Sequence, residues 1–123
     1  MNSKRVLFYN EHIGGSQYRL RIRNKRGDAR EWWKYDAKRR TIHIANNRNR
    51  VISNEMNQGA EKGKRVVMAP YKNSVQSVFY DGRSQRIHNG RDKRVCVDVW
   101  GGRDAENQHT TYWTCHNGKN QKW

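Results

Sequence analysis

The sequence is poor in the residues that mark several common protein classes. It has one proline, two cysteines, and 11 acidic residues against 26 lysines and arginines. No apolar run reaches the roughly 18 residues that span a membrane, and the N-terminal MNSKRVLFYN holds no cleavable hydrophobic stretch, so we expect neither a membrane span nor a signal peptide here. Nucleophile elbows, phosphate-binding loops and paired carboxylates are also missing, so we expect a noncatalytic protein that uses no cofactor.

Low hydrophobicity raises the question of whether the chain folds at all. Hydrophobic residues make up 33% of the 123 positions and the mean hydropathy is -1.28, values typical of disordered chains. The sequence nevertheless contains 5 Trp, 6 Tyr and 2 Phe and no low-complexity run. These large rings favour a folded domain with a small core and a cationic exterior.

The aromatic residues recur at a fixed interval. Trp33, Val78 and Trp123 are spaced by 45 residues, and the first two are followed by Lys-Tyr-Asp and Phe-Tyr-Asp. Ile42 and Ile87 keep the same spacing. We therefore predict one domain, 1–123, of three pseudo-repeats of 45 residues, about 1–36, 37–81 and 82–123, the first truncated at its N-terminus. The alternative is a coincidental match in an all-β chain.

Short β-rich runs lie between turns that carry Gly, Asn and Asp. In YRLRIR, Leu20 and Ile22 alternate with arginines, as expected for a strand with one buried face. The frequent short strands indicate an all-β barrel or sandwich. Predicted strands cover 5–9, 18–23, 41–45, 65–69, 75–80, 94–100 and 110–115, and the predicted inward residues are Leu7, Ile42, Ile52, Ile87 and Val97.

The last third of the chain carries the most specific pattern. Its two cysteines, Cys96 and Cys115, are either separate thiols or one disulfide, and spacing alone does not decide between them. The stretch CVDVWGGRDAENQHTTYWTCHNGKNQKW (96–123) resembles the ricin B-type lectin (QxW) repeat, with a cysteine start, a glycine turn, an aromatic strand, a second cysteine and the Gln-x-Trp ending. The resemblance implies a β-trefoil, a Cys96–Cys115 disulfide and, from that disulfide, an extracellular or secretory location.

The same resemblance implies a sugar site in the third repeat. By analogy with the family, Asp98, Trp113, Asn120 and Gln121 would bind a galactose or N-acetylgalactosamine-type sugar, with Trp100 and His109 as weaker flanking candidates. The structural alternatives are Trp113 as a core aromatic, Asp98 as a turn cap, and Gln121 with Trp123 as the structural ending of the repeat. The first two repeats lack the set of acid, aromatic and amide, so we expect at most one sugar site of the family type. The positions that correspond to Asp98, Trp113 and Asn120 are Ser53, Met68 and Val75 in the second repeat and Phe8, Arg23 and Arg30 in the first.

The formal net charge of +15 predicts a strong positive field that attracts polyanions. Candidates are an anionic glycan, an acidic protein partner or anionic lipid headgroups, and nucleic acid ranks below the glycan and the protein because no nucleic-acid-binding motif is present. The histidines and cysteines lack zinc-finger spacing, so we expect no metal. The candidate polyanion-binding residues are Arg19, Arg21, Arg23, Lys38, Arg39 and Arg40.

The truncated first repeat predicts that one strand of a complete trefoil is not in this sequence. A removed upstream segment or a partner would supply the strand, or the barrel would keep an open edge that invites strand addition and assembly. The alternative to a lectin is thus an interaction β-trefoil with a vestigial sugar site that docks in an assembly or onto a polyanion.

Overall fold

The computed structural model describes residues 5–14, 16–54, 63–73, 76–103 and 105–123, where ten strands and short 3-10 turns form an all-β fold, as predicted. Val75, at the start of the predicted strand 75–80, lies outside these ranges. The strands are β1 (Arg5–Gly14), β2 (Gln17–Asn24), β3 (Trp33–Asp36), β4 (Thr41–Ile44), β5 (Asn47–Asn54), β6 (Val66–Pro70), β7 (Val78–Asp81), β8 (Arg86–Asn89), β9 (Val95–Val99) and β10 (Thr110–Thr114).

The strands form two antiparallel sheets. One has the order β1-β2-β6-β5-β4-β3 and the other has the order β10-β9-β8-β7. Two single bridges, Arg21 with His109 and Arg65 with Thr111, connect β10 to the larger sheet. Across these described ranges, no helix has the length and apolar character needed to cross a lipid bilayer.

Most predicted strands are present with small shifts of their ends, but three features were not predicted. These are the strands β3, β5 and β8. The strands β3 (Trp-Lys-Tyr-Asp) and β8 (Arg-Ile-His-Asn) have four residues each and lack the alternating isoleucines that mark the equally short β4. Residues 47–49 of β5 are exposed, because this end of the strand extends past the core, and a polar Asn-Arg-Asn run carries no hydrophobic signal.

The core lies where the inward faces of the two sheets meet. The five residues predicted to point inward are all buried in one cluster with Leu20, Val66 and Tyr112. Tyr112 is the largest apolar side chain of this cluster, and burial raises the pKa of its phenol to about 12 against an opposing hydrogen bond with Asn89. This packing orients the ends of β9 and β10 toward one surface.

Several contacts recur at the 45-residue offset seen in the sequence. Val78 N donates to Arg40 O and Trp123 N donates to Gln85 O, both at 2.7 Å. Arg40 and Gln85 share left-handed backbone, with φ of 56° and 60°. Two tryptophan indoles donate to carbonyls 26 residues earlier, Trp33 Nε1 to Leu7 O at 3.0 Å and Trp123 Nε1 to Val97 O at 3.1 Å. The repeat boundaries near 36 and 81 remain a prediction.

Candidate functional site

A surface groove of about 420 Å³ lies at the ends of β9 and β10. It brings together three of the predicted site residues, Asp98, Trp113 and Asn120. Asp98 comes from β9, Trp113 from β10 and Asn120 from the 3-10 turn Lys119–Gln121 near the C-terminus. The other lining residues are Trp100, Gly101, Gly102, Thr111 and His116.

The carboxylate of Asp98 is the electrostatic centre of the groove. Its Oδ1 accepts from Asn120 Nδ2 at 2.6 Å, and its Oδ2 accepts from Gln121 Nε2 at 2.7 Å. His116 Nε2 lies 3.2 Å from Oδ2. An ionised carboxylate has about four acceptor positions, so these contacts leave about one for a ligand. Side chains from the last turn therefore hold Asp98 in place. Asp98 does not have the turn-capping role that was its structural alternative.

Gln121 has a positioning role and is not in contact with the groove. Its side chain is fully buried, which agrees with the structural role that the resemblance gives to the Gln-x-Trp ending. Its Nε2 donates to Asp98 Oδ2 and to Thr114 O at 2.9 Å, and its Oε1 accepts from His116 N at 2.8 Å. One amide side chain thus connects β9, the end of β10 and the last turn.

Two indoles border the groove. Trp113 is 44% exposed and Trp100 is 51% exposed, so neither is a core residue, and the core alternative for Trp113 is wrong. Trp100 stacks on His109 with ring centroids 5.1 Å apart and an interplanar angle of 24°. His109 therefore supports Trp100 and does not line the groove itself.

Four lining residues were not predicted, namely Gly101, Gly102, Thr111 and His116. His116 was considered only as a metal ligand, although it follows the second cysteine in the turn that carries Asn120. Gly101 and Gly102 have φ of 68° and 67°, a left-handed conformation that favours glycine. The Gly-Gly pair after Trp100 was the available signal, because such a pair permits the sharp turn that forms one side of the groove.

The predicted disulfide is present between Cys96 and Cys115, whose Cα atoms are 5.0 Å apart. It joins β9 to the residue after β10, directly behind the groove strands. His88 lies near both sulfurs, which makes this trio a metal-like cluster by distance. The sulfurs are already bonded to each other and so are not available as thiolates, which argues against a metal at this cluster.

The corresponding place in the first repeat is filled by an ion pair. Arg23 is buried and its guanidinium lies 4.3 Å over the ring of Phe8, so it is not part of a polyanion-binding surface as predicted. Its Nη2 contacts Asp28 Oδ2 at 2.7 Å and Glu31 Oε2 at 3.1 Å. In the second repeat, the corresponding Ser53 and Met68 are also buried.

Hydrogen bonds to the two carboxylates lower their pKa values. For Asp28 the main cause is the Arg23 side chain, followed by the Arg30 backbone amide, and its pKa falls to about 2. For Glu31 burial acts to raise the pKa, but the backbone amides of Gly27 and Arg26 together with Arg23 outweigh burial and lower it. Both groups are therefore ionised in the folded protein at neutral pH.

The remaining predicted polyanion-binding residues differ in exposure. Arg19 and Arg21 are half-buried and share Glu11, at 3.1 and 3.6 Å. Arg39 stacks over Tyr71 and donates to Asn49 Oδ1. Only Lys38 and Arg40 of this set are exposed, in the turn between β3 and β4.

A basic cluster lies next to the groove. Burial first, and then the charges of Arg65, Arg21 and Arg19, lower the pKa of His109. The same histidine supports Trp100 at the groove border. Of these arginines, Arg65 lies beside the groove, because it forms a β-bridge with the lining residue Thr111, whereas Arg19 and Arg21 share Glu11.

The groove and the all-β fold together define a β-trefoil lectin domain. The family model described as the ricin-type β-trefoil lectin domain matches residues 2–123, and the chain belongs to this family. Among curated proteins, no significant match to the sequence is found.

Three solved structures are similar in fold. The C-terminal half of an earthworm R-type lectin in complex with GalNAc has a TM-score of 0.69 and 16% identity, over 95% of both chains. A mutant of the earthworm lectin C-terminal domain in complex with 6'-sialyllactose has a TM-score of 0.67 and 21% identity, over 98% of this chain and 88% of that one. The mdaA-1 domain has a TM-score of 0.75 and 15% identity, over 97% and 80%.

Proposed function

We propose that the protein is a noncatalytic carbohydrate-binding domain whose one groove, between β9, β10 and the last turn, takes a galactose or N-acetylgalactosamine-type sugar. The observation that carries the proposal is the convergence of a fixed carboxylate, a primary amide and exposed indoles in a single groove. Family membership and a fold shared with an R-type lectin in complex with GalNAc support it.

Each side chain has a defined part in this proposal. Asp98 accepts from a sugar hydroxyl with its remaining lone pair. Asn120 uses its Nδ2 for Asp98 and Val99 O, which leaves its Oδ1 to accept from a second hydroxyl. The exposed indole of Trp113 packs against the apolar C–H face of the ring. Gln121 keeps Asp98 in position from below.

A single shallow groove predicts weak binding. Few polar contacts and one stacked ring correspond to a dissociation constant near ~1 mM, or about 4 kcal/mol. Useful retention on a glycan surface would then need several domains or chains bound at once.

Calorimetric titration with N-acetylgalactosamine and galactose tests the proposal. Trp113→Ala should weaken binding about tenfold, since the stacked ring contributes roughly 0.5–1.5 kcal/mol. Trp32→Ala is the matched control, because Trp32 is also exposed, at 56%, and does not line the groove. Equal affinity in both variants, or no binding of either sugar by the wild type, would show that the groove is not the sugar site.

The basic cluster beside Trp100 supports a preference for glycans that carry an acidic group. Arg65 is exposed, and its charge contributes to the lowered pKa of His109. We expect 6'-sialyllactose to bind more tightly than lactose in the wild type, and Arg65→Gln to remove this difference while leaving lactose binding unchanged. Arg83→Gln is the control, an exposed arginine outside the groove. If the affinities for 6'-sialyllactose and lactose differ equally in both variants, the preference for the acidic glycan would come from the net charge of +15 and not from Arg65.

The alternative function is an interaction β-trefoil with a vestigial sugar site, held to a polyanion or an assembly partner by charge. The net charge of +15 is the observation that favours it. On a glycan array, Asp98→Ala separates the two functions. Loss of a galactose-type signal supports the lectin, whereas salt-sensitive binding to polyanions that is indifferent to the substitution supports the alternative. The Cys96–Cys115 disulfide favours an extracellular or secretory location for either function.

A further inference from the structure

A second and larger cleft, of about 680 Å³, lies away from the sugar groove. Its floor consists of core residues that include Leu7, Ile42 and Ile87, and its walls include the rings of Trp33, Tyr80 and Trp123. None of these residues lines the groove with Asp98. The core of the domain is therefore accessible from one side through an apolar opening.

The cleft runs along the edge of β1. The strands β5 and β9 correspond to β1 at the sequence offsets of 45 and 90 residues, since Leu7, Ile52 and Val97 occupy the same position in each. Both have a strand on each side: β5 lies between β4 and β6, and β9 lies between β8 and β10. Within the part of the chain that the structure describes, β1 pairs with β2 alone. An edge strand beside an apolar cleft is suited to accept another strand.

The rim of the cleft has one sign of charge. Its exposed cations are Lys34, Lys119 and Lys122, and Arg5, which also lines the cleft, pairs with Glu106 at 3.9 Å. Glu31 is the one carboxylate among the described residues that line the cleft, and it is buried against Arg23. A segment that is complementary to the cleft needs apolar side chains facing its floor and carboxylates facing its cationic rim.

We infer that this cleft is a docking site for an extended segment of an acidic partner polypeptide, which pairs with β1 and places an aliphatic side chain beside Ile42 and Ile87. The strands β4 and β8 show the chemistry of such a segment, because each is a short strand that flanks β5 or β9 and places an isoleucine, Ile42 or Ile87, in the cleft. A second copy of this chain is the less suitable occupant, because it would bring its own charge of +15 to a cationic rim.

The test uses a peptide taken from this chain. The probe is residues 33–44, the β3–β4 hairpin, with its four basic residues Lys34, Lys38, Arg39 and Arg40 replaced by glutamate, and the control peptide carries Ile42→Ser in addition. Fluorescence anisotropy of the labelled peptides measures binding to the intact 123-residue protein. We expect saturable binding of the probe and at least about tenfold weaker binding of the control, because the inserted isoleucine supplies the buried apolar contact.

Two charge variants with equal net charge separate docking from general attraction. Lys34→Glu with Lys122→Glu reverses two exposed rim charges and should weaken probe binding on the order of tenfold. Lys25→Glu with Lys72→Glu reverses two exposed charges outside the cleft and should have much less effect. Hydrogen exchange should show new protection of the amides of residues 5–8 when the probe binds.

Three results would overturn the inference. The first is equal weakening in both charge variants, which would reflect net charge alone. The second is probe binding without protection of β1, which would place the peptide elsewhere. The third is a dimer of the wild type in sedimentation equilibrium whose stability changes in the double variant Lys34→Glu with Lys122→Glu. That result would identify a second copy of this chain as the occupant of the cleft.

Discussion

The buried ion pair of the first repeat gives a prediction that stability measurements can test directly. The side chains of Arg23 and Glu31 are 2% and 1% exposed, and Arg23 Nε and Nη2 lie 3.3 and 3.1 Å from Glu31 Oε2. At the 45- and 90-residue offsets from Glu31 stand Gln76 and Gln121, and at the 45-residue offset from Arg23 stands Met68. The substitutions Glu31→Gln and Arg23→Met therefore use residues that the fold already accepts at corresponding places.

Removing one charge should cost far more than removing both. Glu31→Gln leaves Arg23 buried with Asp28 as its remaining partner, so we expect a loss at the lower end of the range for a broken buried pair, ~3 kcal/mol. Arg23→Met should cost a similar ~3 kcal/mol, since it leaves the Glu31 carboxylate buried. The double variant has neither stranded charge and should lie within about 1 kcal/mol of the wild type. The expected coupling energy is therefore about 5 kcal/mol, comparable to the whole stability of a small domain.

Urea unfolding of the four proteins, followed by tryptophan fluorescence, measures these differences. Each transition should be two-state with a common slope, so that the shift of the midpoint reports the free energy of unfolding. Costs that add in the double variant would show that the two side chains act independently. Single-variant costs below about 1 kcal/mol would show that the pair is hydrated in solution, and either result would refute the reasoning.

The other predictions concern pH and the disulfide. Folding lowers the pKa values of Asp28 and Glu31, so both carboxylates stabilise the folded protein above their ordinary pKa values of 3.8 and 4.5. This stabilisation is lost as pH falls through their folded pKa values. The free energy of unfolding should therefore decrease toward pH 2, and less steeply in Glu31→Gln. Burial raises the pKa of Tyr112, so its contribution to stability is complete below its ordinary pKa of 10.0 and is lost as pH rises toward about 12. The absorbance of its phenolate should appear only in that pH range, together with unfolding. Replacing Cys96 and Cys115 by alanine should lower the unfolding free energy by about 3 kcal/mol, measured in urea, whereas an unchanged midpoint would mean that the disulfide adds no stability.

The sequence predicted the fold well where the hydrophobic pattern is strong. Leu7, Ile52 and Val97 were placed in the core because they share one position at the 45-residue spacing, and they are buried together. The family resemblance placed Asp98, Trp113 and Asn120 in one site, and they line one groove. Spacing and resemblance were sufficient to predict the positions of these residues, because the position of each residue depends on the local strand or turn that contains it.

The errors come from contacts that are distant in the sequence or depend on backbone shape. Arg23 was placed on the exposed face with Arg19 and Arg21, because alternation cannot show that Glu31, eight residues on, supplies a buried partner. Gln121 was given both as a possible ligand contact and as a structural residue, and alternation could not show that its amide bonds to Asp98, 23 residues earlier. His116 joins the groove only because the last turn folds back over β9.

The amide network of Gln121 links the end of the chain to the state of the groove. A ligand held by Asp98 and Asn120 would also hold the turn that contains them, and so would slow the fraying of the three residues from Gln121 to Trp123. Hydrogen exchange at the amides of Gln121 and Trp123, which donate to Gly118 O and Gln85 O, should then slow as sugar is added, and the dose dependence would report occupancy without any label. The last tryptophan thus offers a readout of ligand binding from a site that the ligand never touches.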